Sequence, residues 1–481
     1  MKVLVRDDEL RELSRDSGMV EIRPAAGYVA SSEAEVSEAM AAAKARHLSV
    51  TPRGSGTGIP SQSVGHGLVL LQDRRLVSMA GGGSVECEPA LLKSDLNAFL
   101  ESKSLWMPVD PSSYKSCSVG GMAANNSSGS RTFKYGSTID YVEELRLVLP
   151  EEGLAEMRPL GVEAGLAAGG STGRLARLLL DNQASIEHDA PKVTKNSSGY
   201  RLERVIHNGL LDLPRLFVGS EGTLGVVTKV KLKTLARPAS KALLIFETSL
   251  PEMDALVERL RTYSPSALEL VDKTVFLRTG RGNRIRSISK TERPYLVFAE
   301  FDSGSDALDS LERLAGDARI QGFEPVTLID PGDVAEAWGV RNETLTVAAD
   351  MKKGSKSPVP GVEDLVVPPS RLGDLVRLLV GEFERRGLEY ISYGHAGDAN
   401  LHMRPLLDSA SPSDMKVLKS LMEDCFEAVW RMGGSMTGEH GDGMLRAEFV
   451  RRQYPRSYEV MKEVKRIYDP TGMMNHGVKI L

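Results

Sequence analysis

The residues best suited to chemistry lie in Tyr393-Gly394-His395-Ala396-Gly397-Asp398-Ala399-Asn400-Leu401-His402 and in Thr437-Gly438-Glu439-His440-Gly441-Asp442-Gly443. Apolar alternation on either side of Gly-Asp-Ala-Asn predicts two strands joined by a tight turn. In a hairpin centred there, His395 and His402 are cross-strand neighbours with Cβ atoms ~5 Å apart. Two imidazoles so placed can share one divalent ion. A lone histidine is more often a hydrogen-bonded structural residue, but two of the chain's eight histidines flank this one turn. Glu439-His440 is the obvious source of a third ligand, because a carboxylate beside an imidazole offers one ligand and one free base. A charged surface turn would account for Glu439, Asp442 and the glycines equally well.

Glycine-rich segments point to a second kind of chemistry. In Thr51-Pro52-Arg53-Gly54-Ser55-Gly56-Thr57-Gly58 backbone N–H groups can converge on a pyrophosphate, since no Cβ blocks the approach. Arg53 could add a charge there. The G-x-G-x-G spacing runs into Ile59-Pro60-Ser61 and not into a helix, which disfavours nicotinamide binding. Alone, this loop reads equally well as an ordinary turn. Gly120, Gly121, Asn125, Ser128 and Gly129 form a second such segment, and Gly219, Ser220, Glu221, Gly222, Thr223 and Gly225 a third. The Gly/Ser/Asn-dense stretch 112–136 is long for a structureless loop unless it binds something.

These groups need elements to hold them. Residues 32–47 predict a helix, with Ser32 at the N-cap and Glu35 at the capping-box position. LSVTPR (48–53) reads as extended, LVLLQ (68–72) as a buried strand and 90–103 as a helix, an alternation typical of mixed α and β domains. After Pro238 the texture changes. LLIFETS (243–249) and YLVFAEFD (295–302) predict strands, with helices over 251–262 and 305–317, so a second α+β domain starts near 238. From about Gly433 the glycine-rich character returns.

The 481 residues favour two domains or more. Lys+Arg 60 against Asp+Glu 65 gives a net charge of -5, with no electrostatic footprint for nucleic acid. Cys87, Cys117 and Cys425 are the three cysteines, and no two form a CxxC pair. That disfavours a disulfide framework, a structural zinc site and an iron–sulfur cluster. No apolar window of ~20 residues predicts a transmembrane helix, and the N-terminus is no signal peptide. The expected location is cytoplasmic, with any membrane association peripheral and through a partner.

Together PRGSGTG, SVGGMAANNSSGSRTFKYG and FVGSEGTLGVVT resemble the FAD-binding domain of the vanillyl-alcohol oxidase/p-cresol methylhydroxylase superfamily. Within it the chain is most similar to the branch of D-lactate dehydrogenases, glycolate oxidase flavoprotein subunits and D-2-hydroxyglutarate dehydrogenases. The similarity runs from Pro52 to Asn475, with the motifs in the family's order. It implies an α+β fold with a two-part FAD-binding domain (1–237), a cap or substrate domain carrying the His-His motif (238–432) and a C-terminal segment returning to the flavin (433–481). It also implies that FAD lies against Pro52, Arg53, Gly54, Ser55, Gly56, Thr57 and Gly58. Ser118, Gly120, Gly121, Asn125, Ser128, Gly129, Tyr135 and Gly136 follow in the second segment, then Gly219, Glu221, Gly222, Gly225 and Val226, with Asn475 near the flavin. Asn196-Ser197-Ser198-Gly199-Tyr200 resembles a further motif of that domain.

The same resemblance assigns His395, His402 and Glu439 to one divalent ion, zinc first, with manganese or iron as alternatives. His440 becomes the base that takes the substrate's hydroxyl proton, and Arg341, after a helical Trp, the fork for its carboxylate. The chain also departs from the pattern. His476 follows Asn475 where the family has Pro. The first loop has no His for covalent FAD, and Cys117 reads as a small buried residue, so FAD is expected to be non-covalent. Val362 stands where hydroxyglutarate dehydrogenases have Lys, and Arg404 where they have Asn. The His-x-Arg-Pro pattern with VEDLVVPP (362–369) is closer to the flavin half of large FAD/iron–sulfur oxidoreductases.

The expected reaction is hydride transfer from C2 of a small D-2-hydroxy acid to flavin N5, giving the 2-oxo acid. Arg404 would pair with a second anionic group or with a protein carboxylate. A metal-dependent hydrolase would use the histidines but not the glycine loops. A same-fold flavoprotein acting on another alcohol would use the loops but not the histidines. A non-catalytic binding module would explain neither. The expected electron acceptor is a separate iron–sulfur subunit, with a quinone or an electron-transferring flavoprotein as alternatives, and a homodimer is compatible with the sequence.

Overall fold

The computed structural model describes residues 2–273, 276, 291–303, 311–314, 316–317, 322–350 and 352–481. Of the helix expected over 305–317, residues 305–310 and 315 lie outside the described residues, and 311–314 are helical.

The helix Glu33–Ala45 starts where Ser32 Oγ accepts the Glu35 amide (3.2 Å), satisfying a donor that would otherwise have no partner. Val36, Ala39, Met40 and Ala43 recur at helical spacing and form its buried face. They cover a four-stranded sheet in which Ala26–Ala30, Leu68–Gln72 and Val50–Pro52 run parallel and Lys2–Leu4 pairs antiparallel at the edge. A five-stranded antiparallel sheet follows, with Val226–Lys233 at its centre between Ser84–Cys87 and Val142–Leu149.

The stretch 112–136 is not structureless. It contains the helix Val119–Asn125, capped by Ser118 Oγ on the Gly121 amide (3.3 Å), and a shorter helix Thr132–Tyr135. Two glycines and an Asn hide this helix from propensity reasoning; the cap and tertiary packing of Val119, Met122 and Ala123 make it.

From Ser240 the chain builds an eight-stranded antiparallel sheet. Its order is Val326–Leu328, Ser240–Thr248, Tyr295–Ser303, Ala267–Asp272, Tyr390–His395, Asn400–Leu407 and Ser357–Pro358, with Leu365–Val366 also on Asn400–Leu407. Alternation along Ser240–Thr248 decides what covers each face. Ala242, Leu244 and Phe246 pack with residues of helices Leu250–Arg261 and Leu372–Arg385, whereas Leu243 and Ile245 pack with Val334, Ala337 and Val340 of helix Pro331–Asp350. A strand buried on both faces reads as a continuous apolar run, as this one does.

The C-terminal segment returns to the first sheet, where Met474 bridges Val50 in parallel and the Asn475 amide donates to Val50 O (2.8 Å). No helix among the described residues is long and apolar enough to cross a membrane.

Candidate active site

A cavity of about 640 Å³ joins the glycine segments to the histidine cluster, within the range of roughly 300–1,000 Å³ usual for ligand sites. Pro52 through Gly58, Ser118, Gly120, Gly121, Asn125, Ser128, Gly129, Glu221, Gly222, Gly225 and Val226 line it, and so do Arg341, His395, His402, Arg404, Glu439 and His440. Tyr135, Gly136, Gly219 and Asn475 do not. Tyr135 instead donates its hydroxyl to Asp302 Oδ1 (2.8 Å), beside Lys134, tying the second segment to the large sheet. Gly136 ends the short helix at φ 81, and Gly219 sits at φ 82 against Asn126.

The first loop presents backbone to the cavity. Among the described residues, the amides of Gly54, Ser55, Gly56, Thr57 and Gly58 donate to no protein acceptor, so five successive N–H groups are available to a phosphate. Arg53 lines the cavity, and its guanidinium is also anchored to backbone carbonyls. Its guanidinium donates to Arg15 O (2.7 Å), Ser63 O (3.0 Å) and Leu13 O (3.5 Å) and stiffens the loop from behind. Gly54 is required by close packing: a Cβ there would meet Ser118 Oγ at 2.6 Å. These unpaired amides and a cavity of this size fit a diphosphate cofactor such as FAD.

The third segment works inward. Glu221, in the left-handed region at φ 54, turns its buried carboxylate onto the amides of Asp442 (2.9 Å) and Gly443 (2.8 Å) and onto Lys479 Nζ (2.9 Å). Burial raises its pKa. Asn475 donates from Nδ2 to Gln62 O (2.8 Å) and Glu221 O (2.6 Å), locking the chain end onto two of the loops. Asn125 and Gln62 clamp the TGEHGDG segment: Asn125 Nδ2 donates to Glu439 O (2.9 Å), and Gln62 Nε2 to His440 O (2.8 Å).

The two strands and tight turn around 396–399 are present, but the register differs from direct opposition. His395 pairs with Asn400, and His402 with Tyr393, so the histidines are diagonal neighbours on one face. Their ring centroids are 5.1 Å apart, within reach for diagonal pairs. Ala399, at φ 51, closes a loop of four residues, two more than a two-residue hairpin needs.

His395 Nε2 and His402 Nε2 each lie 3.0 Å from Glu439 Oε1, and His440 Nε2 lies 3.9 Å from it. Each imidazole is oriented from behind, as metal-binding histidines are. His395 Nδ1 bonds Glu269 Oε1 (2.7 Å), His402 Nδ1 donates to Glu363 O, and His440 Nδ1 faces Glu363 Oε1 (3.3 Å). Burial pushes His402 down to about 4, keeping it neutral. Burial, the largest single influence, would lower His395, but the Glu269 and Glu439 carboxylates together raise it to about 9. Burial opposes ionisation of Glu439, yet Lys195 and the histidines keep its carboxyl well below the usual range.

With its Nδ1 proton donated to Glu363 O, neutral His402 aims the Nε2 lone pair at an ionised carboxylate oxygen. Two acceptors held 3.0 Å apart are favoured by positive charge beside them, which Lys195 and a protonated His395 supply on Glu439 and which a divalent ion in place of the His395 proton would also supply. Ligands each about 2.0–2.2 Å from one zinc ion stand roughly 3–3.5 Å apart, so the donor set fits a divalent ion. Asp364, His402, Glu439 and His440, without His395, form a group whose ligand atoms all lie within 4.8 Å of one another, but Asp364 is already engaged. Its Oδ2 accepts the Glu439 amide (2.9 Å), the His440 amide (2.8 Å) and the Thr437 hydroxyl, and its Oδ1 the Asn400 amide group (3.1 Å). It shapes the loop and is the poorer ligand.

Four supporting groups escaped sequence reasoning. Glu269 sits in an otherwise apolar strand and joins His395 to Arg341. Lys195, directly before Asn196-Ser197-Ser198, donates to Glu439 Oε2 (3.0 Å), which Ser128 Oγ also reaches (2.7 Å). Glu363 is held by fully buried Arg446 (2.7 Å). An acid in an apolar strand and an acidic pair before Leu-Val-Val-Pro-Pro were the available signals, and only the fold shows where they point. Arg341 is not on the surface. It is 5% exposed, paired with Glu269, and lines the cavity.

Comparison with known proteins defines the class. Residues 238–478 match the family of FAD linked oxidases, C-terminal domain, and residues 24–157 the FAD binding domain. The chain belongs to the FAD-linked oxidase family. It is 29% identical to D-2-hydroxyglutarate dehydrogenase of Pseudomonas putida over 92% of this chain and 46% of that protein, so it spans about half the length of that relative. It is 27% identical to glycolate oxidase subunit GlcD of Bacillus subtilis over 92% of this chain and 86% of that one. Its fold is that of p-cresol methylhydroxylase, with a TM-score of 0.71 at 11% identity over 99% of this chain and 94% of that structure.

Proposed function

We propose that this chain is the flavoprotein of a dehydrogenase that oxidises a D-2-hydroxy acid to the 2-oxo acid with one divalent ion. The observation that carries the reading is the single cavity lined both by the unpaired amides of 54–58 and by the His395/His402/Glu439 cluster. A hydrolase has no use for the first, and an oxidase of phenols none for the second.

The division of labour follows: 1–237 hold FAD, 238–432 supply the two histidines, and 433–481 bring Glu439 and His440 back to the flavin. When bound, FAD supplies a two-electron acceptor and the ion at His395, His402 and Glu439 a Lewis acid. His440 Nε2 takes the hydroxyl proton as the C–H bond breaks. Its Nδ1 proton faces Glu363, whose charge, held by Arg446, stabilises the imidazolium. Arg341 presents a fixed fork for the substrate carboxylate. Non-covalent FAD agrees with Cys117, a buried thiol whose pKa burial raises. Electrons would leave to a separate protein or a quinone; the name of the Bacillus relative as a subunit supports a protein acceptor.

The test is anaerobic mixing of FAD-loaded enzyme with a panel of D- and L-2-hydroxy acids, with and without chelator. Bleaching of the flavin by a D-acid, lost with chelator and restored by a divalent ion, is expected. Bleaching that chelator leaves unchanged would remove the ion from the mechanism.

A further inference from the structure

Arg341 and Arg404 both line the cavity with the histidine cluster, and their surroundings differ. Arg341 is neutralised by Glu269, which also holds His395. Arg404 follows His402 by two residues on strand Asn400–Leu407, so it shares that residue's face of the sheet. It makes no hydrogen bond or ion pair among the described residues, and its Nε is buried without a partner. The acid whose charge it feels is Glu363, already taken by Arg446, the Gly361 amide and His440. Trp338, on the helix that carries Arg341, lines the same cavity and leaves its indole Nε1 unpartnered as well. A buried donor without an acceptor costs roughly 1–3 kcal/mol, and a permanently charged guanidinium cannot avoid this by losing a proton. A ligand anion satisfies it.

Resting on the dehydrogenase reading, we infer that Arg404, in the cavity that Trp338 also lines, is the binding site for a second carboxylate, so that the substrate is a 2-hydroxy dicarboxylic acid. One carboxylate and the hydroxyl lie against the histidine cluster and Arg341, and the far carboxylate lies against Arg404. A monocarboxylic acid leaves the half-buried Arg404 unanswered, which selects against it more strongly than a missing apolar contact would. The neighbouring Pro405, paired with Tyr390 in the strand ladder, restricts the backbone next to Arg404.

The experiment pairs ligands that differ only in the second carboxylate. Binding of 2-oxoglutarate and 2-oxopentanoate to oxidised, FAD-loaded enzyme is followed by flavin difference spectra and calorimetry. Kinetics with D-2-hydroxyglutarate and D-2-hydroxypentanoate run in parallel. The dicarboxylates are expected to bind about 10–100-fold more tightly, and Arg404→Met to reduce that ratio to near one, with partial rescue by Arg404→Lys. Should the variants not fold, the wild-type ratio still decides. Equal affinity for both members of a pair, or a ratio unmoved by Arg404→Met, overturns the assignment while flavin reduction by either hydroxy acid keeps the dehydrogenase reading. Preferential binding of plain glutarate over pentanoate, with no hydroxy acid reducing the flavin, keeps the Arg404 site and defeats the dehydrogenase reading.

Discussion

The two ends of the cavity are built by opposite means. At the glycine end, the protein offers backbone: residues 54–58 line the cavity and their five amides have no acceptor among the described residues, while the charged side chains nearby, Arg53 and Glu221, brace the loops. At the histidine end it offers side chains, each fixed by another buried group: Glu269 behind His395, Glu363 behind His402 and His440, and Lys195 and Ser128 behind Glu439. Backbone donors tolerate changes of residue type and fail when the path of the chain moves. Side-chain donors fail one at a time. A buried charge network also loses more than one interaction when one member goes, because its partner is left uncompensated.

The largest effect should come from Glu439→Ala. It removes the atom on which His395 and His402 converge, so substrate oxidation is expected to be abolished while the flavin spectrum and FAD content stay unchanged. A variant that loses its FAD as well would show the two ends to be one unit. His440→Ala comes next, slowing flavin reduction by ~10²–10⁴, the usual effect of a lost general base, with metal content unaltered. Reduction at the parent rate would remove His440 from that role.

Glu269→Gln tests the support behind the cluster. The carboxylate that holds His395 is lost but the shape is kept, and the metal affinity read by competition with a chromophoric chelator should fall about 10–100-fold. An unchanged affinity would mean that Glu269 serves only Arg341. Gly54→Ala gives the smallest effect and belongs to the other end. Its Cβ would lie 2.6 Å from Ser118 Oγ, an overpacking cost of about 1–3 kcal/mol, seen as weaker FAD binding with metal affinity untouched. Ser55→Ala leaves the backbone path alone and should bind FAD as the parent does. Weaker binding in Ser55→Ala would show that side chains, not amides, hold the cofactor at this end.

Local pattern made much of this legible. LVLLQ as a strand, Ser32 as a cap, the paired strands around Gly394–Asn400 and the three glycine segments follow from periodicity, capping chemistry and turn residues, all of which act within a few residues. The order of the motifs also carried the family. What sequence alone could not set was decided over long separations. The register that makes His395 and His402 diagonal depends on how the turn closes at Ala399. The burial of Arg341 depends on helix Pro331–Asp350 packing over the sheet that carries Glu269. Arg53 and Tyr135 read as cofactor contacts because they stand in the glycine motifs, yet their side chains meet carbonyls and a carboxylate from other parts of the chain. A side chain's direction is set by the element it sits on, but its partner is set by whatever the tertiary structure packs against that face. For this protein the sequence determined which groups were available, and the packing of the large antiparallel sheet against the glycine loops decided which of them face one another.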